Sequence, residues 1–478
     1  MKTATADSLI ESFKQAGQGQ VFRYWDDLDD AGKAALVEQA GLIDLQEIAR
    51  LNETLVLGGN AHGVDLSDLS PAPYIPRPER GGDPQQWHKA RMQGVAALEA
   101  GRVAAFTVAG GQGTRLGYDG PKGTYPVTPI REATLFQVFA EKIFAARARY
   151  GADIPWFLMT SNLNHEATVA FFEENDFFGL GSDTVSFFKQ GLMPAVDLEG
   201  KIILANKDEI AMSPDGHGGS LRALVRSGAT AKMKEAGIDI ISYFQVDNPL
   251  VKFLDPALIG FHIQVGSEMS SKMLPKAYPK EKVGHFCKQH GRTVVVEYSD
   301  MPDELVEQTN EKGELRYIAG SIAIHVLDRA FVESMGGDNP DAALPFHRAD
   351  KKVATLDENG EPFKPETPNG VKFEMFVFDA LPFAKNPVII ETAREEDFAP
   401  VKNAEGLDSP QTCKEAQLAE FAAWAKAAGV DIETDEKGLP SITFEITPKF
   451  ADSVEAFVNR WQSLNPKPKI KEGAILDA

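Results

Sequence analysis

The feature of this sequence that most constrains its fold is a short apolar segment that ends in glycines and precedes a helical pattern. Residues 102–111 read RVAAFTVAGG and continue directly into QGTRLG. Residues 134–151 then carry an apolar stripe of Leu135, Val138, Phe139 and Phe144, and Thr134 with Gln137 has the pattern of a capping box. A buried strand, a glycine loop and a helix in this order predict an α/β protein with a Rossmann-like, doubly wound, mostly parallel sheet.

Further candidate strands follow at intervals typical of such a sheet, and helical patterns lie between several of them. The candidates are PWFLMTS, TVSFFKQ, IDIISYFQVDN and ELRYIAGSIAIHV. Turn residues interrupt apolar runs in MPAVDLEGKIIL and VGHFCKQHGRTVVVEYS, which predicts two inserted hairpins. We predict a helical N-terminal domain at residues 1–100, a catalytic domain at 101–390 and a small C-terminal domain at 391–478.

The charge and the cysteine count limit the partners and the compartment. Acidic residues outnumber basic ones 70 to 49, which gives a formal net charge of −21. Such a surface repels a nucleic-acid polymer, although a local cluster of cations can still bind a small anion. Two cysteines, no apolar leader and no 18-residue apolar run predict a cytoplasmic protein that binds neither nucleic acid nor membrane. We expect a monomer or a weak homodimer.

The glycine loop has the composition of a phosphate-binding turn. Glycine lacks a Cβ atom, so the backbone amides of Gly110, Gly111 and Gly113 can converge on one anion at the end of the first strand. Arg115 and Lys122 follow closely and would neutralise charge that the amides do not. The alternative, from the glycines alone, is a tight turn with surface charges.

Two familiar glycine loops do not match this one. The dinucleotide fingerprint is G-x-G-x-x-G, whereas the spacing of Gly111, Gly113 and Gly117 is one residue longer. That spacing, and the lack of an acidic residue at ribose-binding distance, argue against a nicotinamide dehydrogenase. A Walker A loop places Gly before its Lys and Ser or Thr after it, but here Pro121 precedes Lys122.

The complete pattern AGGQGTRLGYDGPKG resembles the signature of the UDP-sugar pyrophosphorylases, and most closely that of their UDP-N-acetylglucosamine pyrophosphorylase branch. Six further segments, in the same order along the chain, are similar to segments of that family. They are QGLMPAVDLEGKIIL, SPDGHGGSLRAL, FQVDNPLVKFLDP, VVEYSD, PNGVKFEMFVFDALPFA and REEDFAPVKNAEG. The resemblance covers roughly residues 100–410 and implies a nucleotide-diphospho-sugar transferase fold of the GT-A-like type.

The resemblance also implies a reaction, in which UTP and a sugar 1-phosphate give a UDP-sugar and pyrophosphate. Lys122 resembles the family lysine that contacts the phosphates, and Arg115 resembles the arginine set against the triphosphate. Lys402, in FAPVKN, matches a second lysine that comes from the C-terminal side of the cleft. Asp247 follows a predicted central strand and is the candidate oxygen ligand for Mg²⁺. The structural alternatives are a solvated lysine, a loop salt bridge and a capping aspartate.

The nucleoside would be held by the loop and by a glutamine. Gln190, in KQG, matches the family's uracil-facing glutamine, since its amide offers both a donor and an acceptor. It could instead simply close a turn. The nucleotide-binding residues that the resemblance implies are Ala109, Gly110, Gly111, Gly113, Thr114, Gln190, Gly216 and His217.

The sugar pocket departs from the family pattern at two positions. His217 stands in GHGG and Ser321 in AGSI, where the family's acetylglucosamine enzymes usually have asparagine. Phe376 and Phe378 resemble the aromatic wall of the acetyl pocket, although core packing is the alternative for both. The residues that the resemblance places at the sugar are His217, Gly284, Glu297, Ser321, Phe376 and Phe378.

We therefore predict a UTP-dependent uridylyltransferase that makes UDP-N-acetylglucosamine from UTP and N-acetylglucosamine 1-phosphate. A UDP-glucose or broad-specificity UDP-sugar pyrophosphorylase is the alternative, because of the two substituted asparagines. A third hypothesis is a catalytically inactive UDP-sugar sensor. The presence of both Lys122 and Asp247 weighs against it, since uridine binding alone requires neither.

Overall fold

The structure, a computed structural model, describes residues 5–58, 66–337 and 343–478. Its helices are α1 (Ala6–Gln15), α2 (Asp30–Gly41), α3 (Leu45–Leu51), α4 (Pro84–Glu99), α5 (Leu135–Tyr150), α6 (His165–Glu174), α7 (Gly219–Arg226), α8 (Ala229–Glu235), α9 (Pro256–Gln264), α10 (Asp303–Val306), α11 (Arg329–Gly336), α12 (Arg394–Asp397), α13 (Pro410–Ala427) and α14 (Val454–Ser463).

The strands alternate with these helices through much of the chain. They are β1 (Ser70–Pro71), β2 (Val103–Val108), β3 (Trp156–Thr160), β4 (Val185–Lys189), β5 (Leu192–Pro194), β6 (Val196–Asp197), β7 (Leu204–Asn206), β8 (Glu209–Ile210), β9 (Met212–Pro214), β10 (Ile240–Gln245), β11 (Met269–Pro275), β12 (Gly284–Gln289), β13 (Arg292–Val296), β14 (Ala319–Asp328), β15 (His347–Lys351), β16 (Thr355–Leu356), β17 (Pro362–Phe363), β18 (Gly370–Glu374), β19 (Val388–Glu391), β20 (Phe444–Ile446) and β21 (Ala474–Leu476).

The chain divides into two units, each assembled from three separate stretches of sequence. The first unit comprises Met1–Asp65, Gln190–Ser220 and Ala343–Asp379. The second comprises Leu66–Lys189, Leu221–Ala342 and Ala380–Ala478. The division predicted at residues 100 and 390 follows other limits, and it remains a prediction.

A ten-stranded mixed sheet runs through the described part of the second unit. Its main path has the order β1-β12-β14-β10-β2-β3-β4, while β11, β13 and β19 pair beside that path. β2 pairs in parallel with β10 and β3, and β3 pairs in parallel with β4. β14 is antiparallel to β10, β11 and β12. The protein is therefore a mixed α/β protein with a large sheet whose strands mostly share one direction. This confirms the predicted α/β class and the mostly parallel sheet.

The central strands are buried because their sequences are continuously apolar, without the alternation of a half-exposed strand. Each predicted strand segment contains or overlaps one of β2, β3, β4, β10 and β14, so these strands are confirmed, although their bounds differ from the predicted ones. The ring of Phe106 on β2 packs against those of Tyr243 on the adjacent β10 and of Phe188 on β4, two strands away. The indole Nε1 of Trp156 donates to Thr107 Oγ1 over 2.8 Å, which satisfies two buried polar groups.

Helix α5 is also where predicted, but two of its details are wrong. Thr134 Oγ1 accepts from the amide of Gln137, as an N-cap does. The Gln137 side chain donates to Glu141 instead of returning to the cap, so the capping box is incomplete. Phe144 does not join the apolar stripe, since 41% of it is exposed and Lys449 lies over its ring.

Both predicted hairpins are present. β12 and β13 pair antiparallel around His290 and Gly291, whose φ angles of 47° and 76° suit a two-residue hairpin turn. In the other hairpin, Val196 bridges Ile202 and the amide of Asp197 donates to the carbonyl of Lys201. Two side-chain amides attach the N-terminal segment of the first unit to this second hairpin. Gln18 Nε2 and Asn52 Nδ2 each donate a hydrogen bond to the carbonyl of Gly200.

The last part of the chain forms a small layer of its own within the second unit. Helices α13 and α14 pack with the parallel pair β20–β21 around an aromatic core that contains Trp424, Phe457 and Trp461. Glu445 on β20 accepts hydrogen bonds from the side chain of Arg131 and from the amides of residues 130 and 131. Because Glu445 is buried, this charged pair joins the layer firmly to the segment that precedes α5.

Two further observations bear on the predicted environment of the chain. No helix in the described residues has the length and apolar character that crossing a membrane requires. Cys287 and Cys413 are both buried and free of disulfides.

Candidate functional site

The glycine loop leaves the sheet at the carboxyl end of β2. Asn164, which is buried just before α6, donates from Nδ2 to the carbonyls of Ala109 and Gly111 over 2.9 and 3.2 Å. The amide of Lys122 also donates to the carbonyl of Gly111, and the amide of Gly113 donates to Gly120. Because these bonds use the loop's carbonyls, the backbone is held in one conformation while several of its amides remain available.

The glycines of this loop have different reasons for lacking a side chain. A Cβ atom on Gly113 would lie 2.7 Å from the Tyr118 ring, so packing within the protein requires glycine there. A Cβ atom on Gly111 would meet only Lys122 Cδ, at 4.0 Å. Among the described residues, no acceptor takes the amides of Gly110 and Gly111. Open space beside unused backbone donors is what an incoming phosphate oxygen needs.

Lys122 and Asp247 form the charged pair beside this loop. Asp247 follows β10, next to β2 in the sheet, and the amide of Val246 donates to the carbonyl of Val108. The two strands therefore end side by side. Lys122 Nζ lies 3.6 Å from Asp247 Oδ2, and each side chain is about one-sixth exposed, at 16% and 15%. An ammonium and a carboxylate that both remain accessible can rearrange around an anionic ligand.

Arg115 and Thr114 lie in the 3-10 turn Thr114–Leu116 that follows the glycines. Both are exposed, and Arg115 forms no salt bridge with any described residue. Within the described part of the chain, Arg115 therefore has no carboxylate partner that would pin the loop, and its role remains a prediction.

A backbone hydrogen bond attaches the segment that carries Lys402 to the same edge of the sheet. The amide of Val401 donates to the carbonyl of Asp247 over 2.8 Å, so Lys402 follows a residue bonded directly to the candidate metal ligand. Its amide donates to Asp408, and its Nζ lies 5.7 Å from the centre of the Phe398 ring. The sequence gives no sign of this proximity, since 155 residues separate the two positions.

Three of the predicted sugar residues form a row across adjacent strands. The register pairs Gly284 of β12 with Ser321 of β14. It also pairs His285 with Val296 of β13, which places Glu297 opposite Gly284. Residues directly opposite in antiparallel strands present their side chains to the same face. A Cβ atom on Gly284 would lie 2.6 Å from Val295 Cγ1, so glycine at this position is required by packing.

The first unit holds the other predicted residues, beginning with Gln190. Its Nε2 donates to the carbonyl of Gly216 over 2.9 Å, which fixes the orientation of the amide. Gly216 has a φ of +83°, and a Cβ atom there would lie 2.4 Å from the carbonyl oxygen of Met375. The tight approach of residues 216 and 375 therefore determines where the Gln190 amide is held.

His217 packs against two phenylalanine rings of the first unit, stacked on Phe376 and tilted against Phe378. Its ring lies 5.4 Å from that of Phe376 and 5.8 Å from that of Phe378. Phe376 stacks in turn on His347, whose Nε2 lies 2.7 Å from Asp379 Oδ2. His217 Nδ1 accepts from the amide of Val377 over 3.2 Å, which assigns the ring proton to Nε2.

Burial, helped by the nearby His347, lowers the pKa of His217 to about 4. At neutral pH the imidazole is therefore uncharged, with Nε2 as a hydrogen-bond donor and Nδ1 as an occupied acceptor. A neutral donor flanked by aromatic rings suits an uncharged polar group on a ligand better than a phosphate. His217 is consequently better suited to a sugar or a base than to the triphosphate.

The predicted residues are divided between the two units, and their roles remain predictions. The group in the second unit contains Ala109, Gly110, Gly111, Gly113, Thr114, Arg115, Lys122, Asp247, Gly284, Glu297, Ser321 and Lys402. The group in the first unit contains Gln190, Gly216, His217, Phe376 and Phe378.

Sequence reasoning missed three buried polar residues that organise the first of these groups. Asn164 holds the glycine loop, whereas its position before a helix indicates only a capping residue. Asn248 and Asp397 join the segments that carry Asp247 and Lys402. An asparagine beside a predicted metal ligand is a usable signal for Asn248. Nothing in the sequence around Asp397, in REEDF, distinguishes that residue from its exposed acidic neighbours.

Comparison with known proteins extends over nearly the whole chain. Residues 82–472 match the family model described as UTP–glucose-1-phosphate uridylyltransferase. A UDP-N-acetylhexosamine pyrophosphorylase-like protein 1 from Xenopus tropicalis is 38% identical over 91% of this chain and 88% of its own. The UDP-N-acetylglucosamine pyrophosphorylase of Saccharomyces cerevisiae is 33% identical over 88% of this chain and 91% of its own.

A solved structure shares the fold. The uridine diphosphate N-acetylglucosamine pyrophosphorylase from Trypanosoma brucei, in complex with an inhibitor, superposes with a TM-score of 0.81. It is 25% identical, and the match covers 100% of this chain and 98% of that one.

Proposed function

Because the chain belongs to the UTP–glucose-1-phosphate uridylyltransferase family, we propose that it converts UTP and N-acetylglucosamine 1-phosphate into UDP-N-acetylglucosamine and pyrophosphate. It is a nucleotidyltransferase, as its relatives are. Those relatives are named for N-acetylglucosamine or N-acetylhexosamine, which favours this sugar over glucose.

One observation of the structure carries the proposal: the Lys122–Asp247 pair lies beside a loop in which the amides of Gly110 and Gly111 have no acceptor among the described residues. The unused amides of Gly110 and Gly111 suit phosphate oxygens, and Lys122 supplies a positive charge next to them. A sensor that only bound a uridine would not require the ammonium and the carboxylate to remain accessible together.

The chemistry places few demands on the protein beyond position and charge. A phosphate oxygen of the sugar phosphate bonds to the α-phosphorus of UTP, and the bond from that phosphorus to the pyrophosphate oxygen breaks. The second pKa of a phosphate monoester is about 6, so the nucleophile is already an anion at neutral pH. No general base is needed. Catalysis then rests on holding two anions in line and on cations that stabilise the departing pyrophosphate.

Each cationic residue has a place in this scheme. We assign Lys122 and Arg115 to the triphosphate beside the loop, and Lys402 to the incoming sugar phosphate. When a triphosphate binds, its oxygens compete with Asp247 for the Lys122 ammonium, because the 3.6 Å separation in the free protein is longer than a tight hydrogen bond. The ion pair thus keeps both side chains in place without closing the site.

The residues present also fit a magnesium ion. Asp247 offers a hard oxygen ligand at the end of a central strand, and Mg²⁺ in nucleotide enzymes commonly takes one or two carboxylates together with phosphate oxygens and waters. No group of three or more acidic, histidine or cysteine residues in the described chain forms a metal cage. We therefore propose that Asp247 holds Mg²⁺ only together with the nucleotide. The ion supplies positive charge against the phosphates when it is bound.

Recognition of the base and the sugar falls to the remaining residues. The Gln190 amide, oriented by Gly216, matches the donor and acceptor edge of uracil. For the sugar we assign the row of Glu297, Gly284 and Ser321, with His217 and the two phenylalanines as the other contacts.

We also propose the finer features that the family suggests. The sheet would have the doubly wound, Rossmann-like arrangement of GT-A-like transferases, and the strand order with parallel neighbours β10, β2, β3 and β4 supports this. The protein would be a cytoplasmic monomer or weak homodimer. Its two unpaired cysteines support a reducing compartment.

The direct test is a pyrophosphate-release assay with purified protein, UTP, Mg²⁺ and a panel of sugar 1-phosphates. We expect release with N-acetylglucosamine 1-phosphate, and none when the sugar phosphate is omitted. If no sugar phosphate supports release, the uridylyltransferase proposal is wrong. If glucose 1-phosphate gives a much higher kcat/KM than its N-acetyl counterpart, the proposed sugar is wrong.

A further inference from the structure

Three hydrogen bonds join the segment after β10 to the segment that carries Lys402. Asn248 Nδ2 donates to the carbonyl of Asp397 over 2.6 Å, and its Oδ1 accepts from the amide of Ala399 over 3.0 Å. The third bond runs from the amide of Val401 to the carbonyl of Asp247 over 2.8 Å. We call these three bonds the Asn248 clasp. The buried Asn248 side chain uses both ends of its amide, one as donor and one as acceptor.

Asp397 attaches the clasp to the sheet. Its carboxylate accepts from Lys272 Nζ on β11 over 2.7 Å, from the hydroxyl of Thr392, and from the amide of Lys252 over 2.7 Å. Asp397 and Lys272 are each 1% exposed. The Lys272 ammonium also lies 2.9 Å from Asp255, so the buried charges are neutralised within the cluster.

The cluster keeps Asp397 ionised despite its burial. Burial by itself would raise the pKa of Asp397, but the ammonium groups of Lys272 and Lys252 and two hydrogen bonds outweigh it, and the net pKa is below the ordinary value. Three donors hold the Asp397 carboxylate in one orientation. The backbone carbonyl of Asp397 is therefore presented to Asn248 in one direction.

We propose that Asn248 and Asp397 are positioning residues of the uridylyltransferase reaction, which hold Lys402 at a fixed place relative to Asp247. Neither need touch a substrate. The inference rests on the proposed function, and it goes further by naming the device that joins the metal-ligand end of the site to the second lysine.

The positions along the chain explain why such a device is needed. Asp247 follows directly after the central strand β10, whereas Lys402 lies in a segment without regular structure between α12 and α13. A lysine side chain on an unanchored segment would sample many positions. In-line transfer between two phosphates is sensitive to displacements of about 1 Å, which can cost on the order of 100-fold in rate.

The isosteric variant Asn248→Asp tests the clasp most sharply. It replaces the Nδ2 donor with a carboxylate oxygen facing the carbonyl of Asp397, so one bond becomes a repulsion while the volume is unchanged. The neutral variant Asn248→Ser shortens the side chain and releases both bonds without adding a charge. We expect kcat to fall about 10- to 100-fold in each variant, with the KM for UTP within about threefold of wild type.

A double-mutant comparison identifies the group through which Asn248 acts. If the clasp works by placing Lys402, then Asn248→Ser added to Lys402→Ala costs little more than Lys402→Ala alone. Multiplicative losses in the double variant would overturn the proposal, as would a wild-type kcat in Asn248→Ser.

Glu445→Gln is the matched control. Like the Asn248 variants, it changes a buried polar side chain that forms several hydrogen bonds, but in another part of the second unit. It removes the negative charge that accepts hydrogen bonds from Arg131 and its neighbours. We expect it to lower thermal stability while kcat stays close to wild type. An equal loss of kcat in the control would assign the Asn248 effect to general destabilisation and overturn the proposal.

Amide hydrogen exchange separates failure of this inference from failure of the proposed function. The amides of Ala399 and Val401 should be protected in wild type and exchange faster in Asn248→Ser, whatever the enzyme's substrate. An inactive wild-type protein in the pyrophosphate assay refutes the proposed function. An active wild type with unchanged exchange in the variant refutes the clasp.

Discussion

Replacing Lys122 with alanine gives the most direct test of the site. In the free protein its ammonium lies 3.6 Å from Asp247 Oδ2. A phosphate oxygen at the same distance would attract it by about 5 kcal/mol at an effective dielectric constant of about 20. Only the part that increases in the transition state accelerates the reaction. Loss of one such donor costs about 2.7–4 kcal/mol in comparable sites.

We therefore expect Lys122→Ala to lower kcat about 100- to 1,000-fold. The assay is steady-state pyrophosphate release with saturating substrates, and circular dichroism checks that the variant folds. Lys234→Ala is the control, since Lys234 is an exposed residue in α8 of the same unit and should keep wild-type turnover.

Stability provides an independent readout of the same pair. Lys122→Ala leaves the Asp247 carboxylate without its cation, and Asp247→Asn leaves the ammonium without its anion. If the pair is real, the two substitutions together should destabilise the protein less than the sum of the single changes, whereas activity is lost in all three variants. A Lys122→Ala enzyme within threefold of wild-type kcat would refute the role assigned to this lysine.

Three further predictions concern the loop, the histidine and the sugar row. Gly111→Ala should leave the thermal stability unchanged but raise the KM for UTP, whereas Gly113→Ala should lower stability, because only its Cβ atom meets Tyr118. Thermal melts and UTP titrations compare the two. The pKa of His217, about 4 in the folded protein, lies below the ordinary 6.5, so its contribution to stability is present above pH 6.5 and is lost as the pH falls toward 4. The fall in melting temperature between pH 7 and pH 5 should therefore be smaller for His217→Asn than for wild type. Ser321→Asn should raise kcat/KM for the N-acetyl sugar relative to glucose 1-phosphate; an unchanged ratio would remove residue 321 from sugar selection.

Local patterns predicted the core of the sheet because burial on both faces requires continuous apolar strands. This is why β2, β3, β4, β10 and β14 could be located from the sequence. The β12–β13 hairpin was equally readable, since His290-Gly291 supplies the two positive φ angles of its turn. The error at Phe144 has the same origin, because an apolar residue on a helix pattern does not reveal whether another element covers it.

Long-range assembly could not be predicted in this way. The first unit joins residues 1–65, 190–220 and 343–379, and no local signal relates these stretches. The same holds for Lys402, which only the family resemblance singled out, and for Asp397, which has the sequence of an exposed acidic turn. Its burial depends on Lys272, 125 residues earlier, whose ammonium compensates the charge.

The strongly negative chain raises the question of how it would attract a nucleoside triphosphate. At physiological ionic strength, charges act over a screening length of about 8 Å, so most of the 70 acidic residues are not felt at the loop. What matters there is the local set: Arg115 with no salt bridge among the described residues, Lys122 beside Asp247, and the unused amides of the loop. Asp247 opposes the nearby Lys122, and a magnesium ion that arrives with the nucleotide would cancel that charge. We propose that the overall charge disfavours free polyanions, whereas the local charge favours a metal-bound triphosphate. Binding of UTP should therefore weaken much more on replacement of Arg115 by glutamine than on a similar change at an exposed cation such as Lys234.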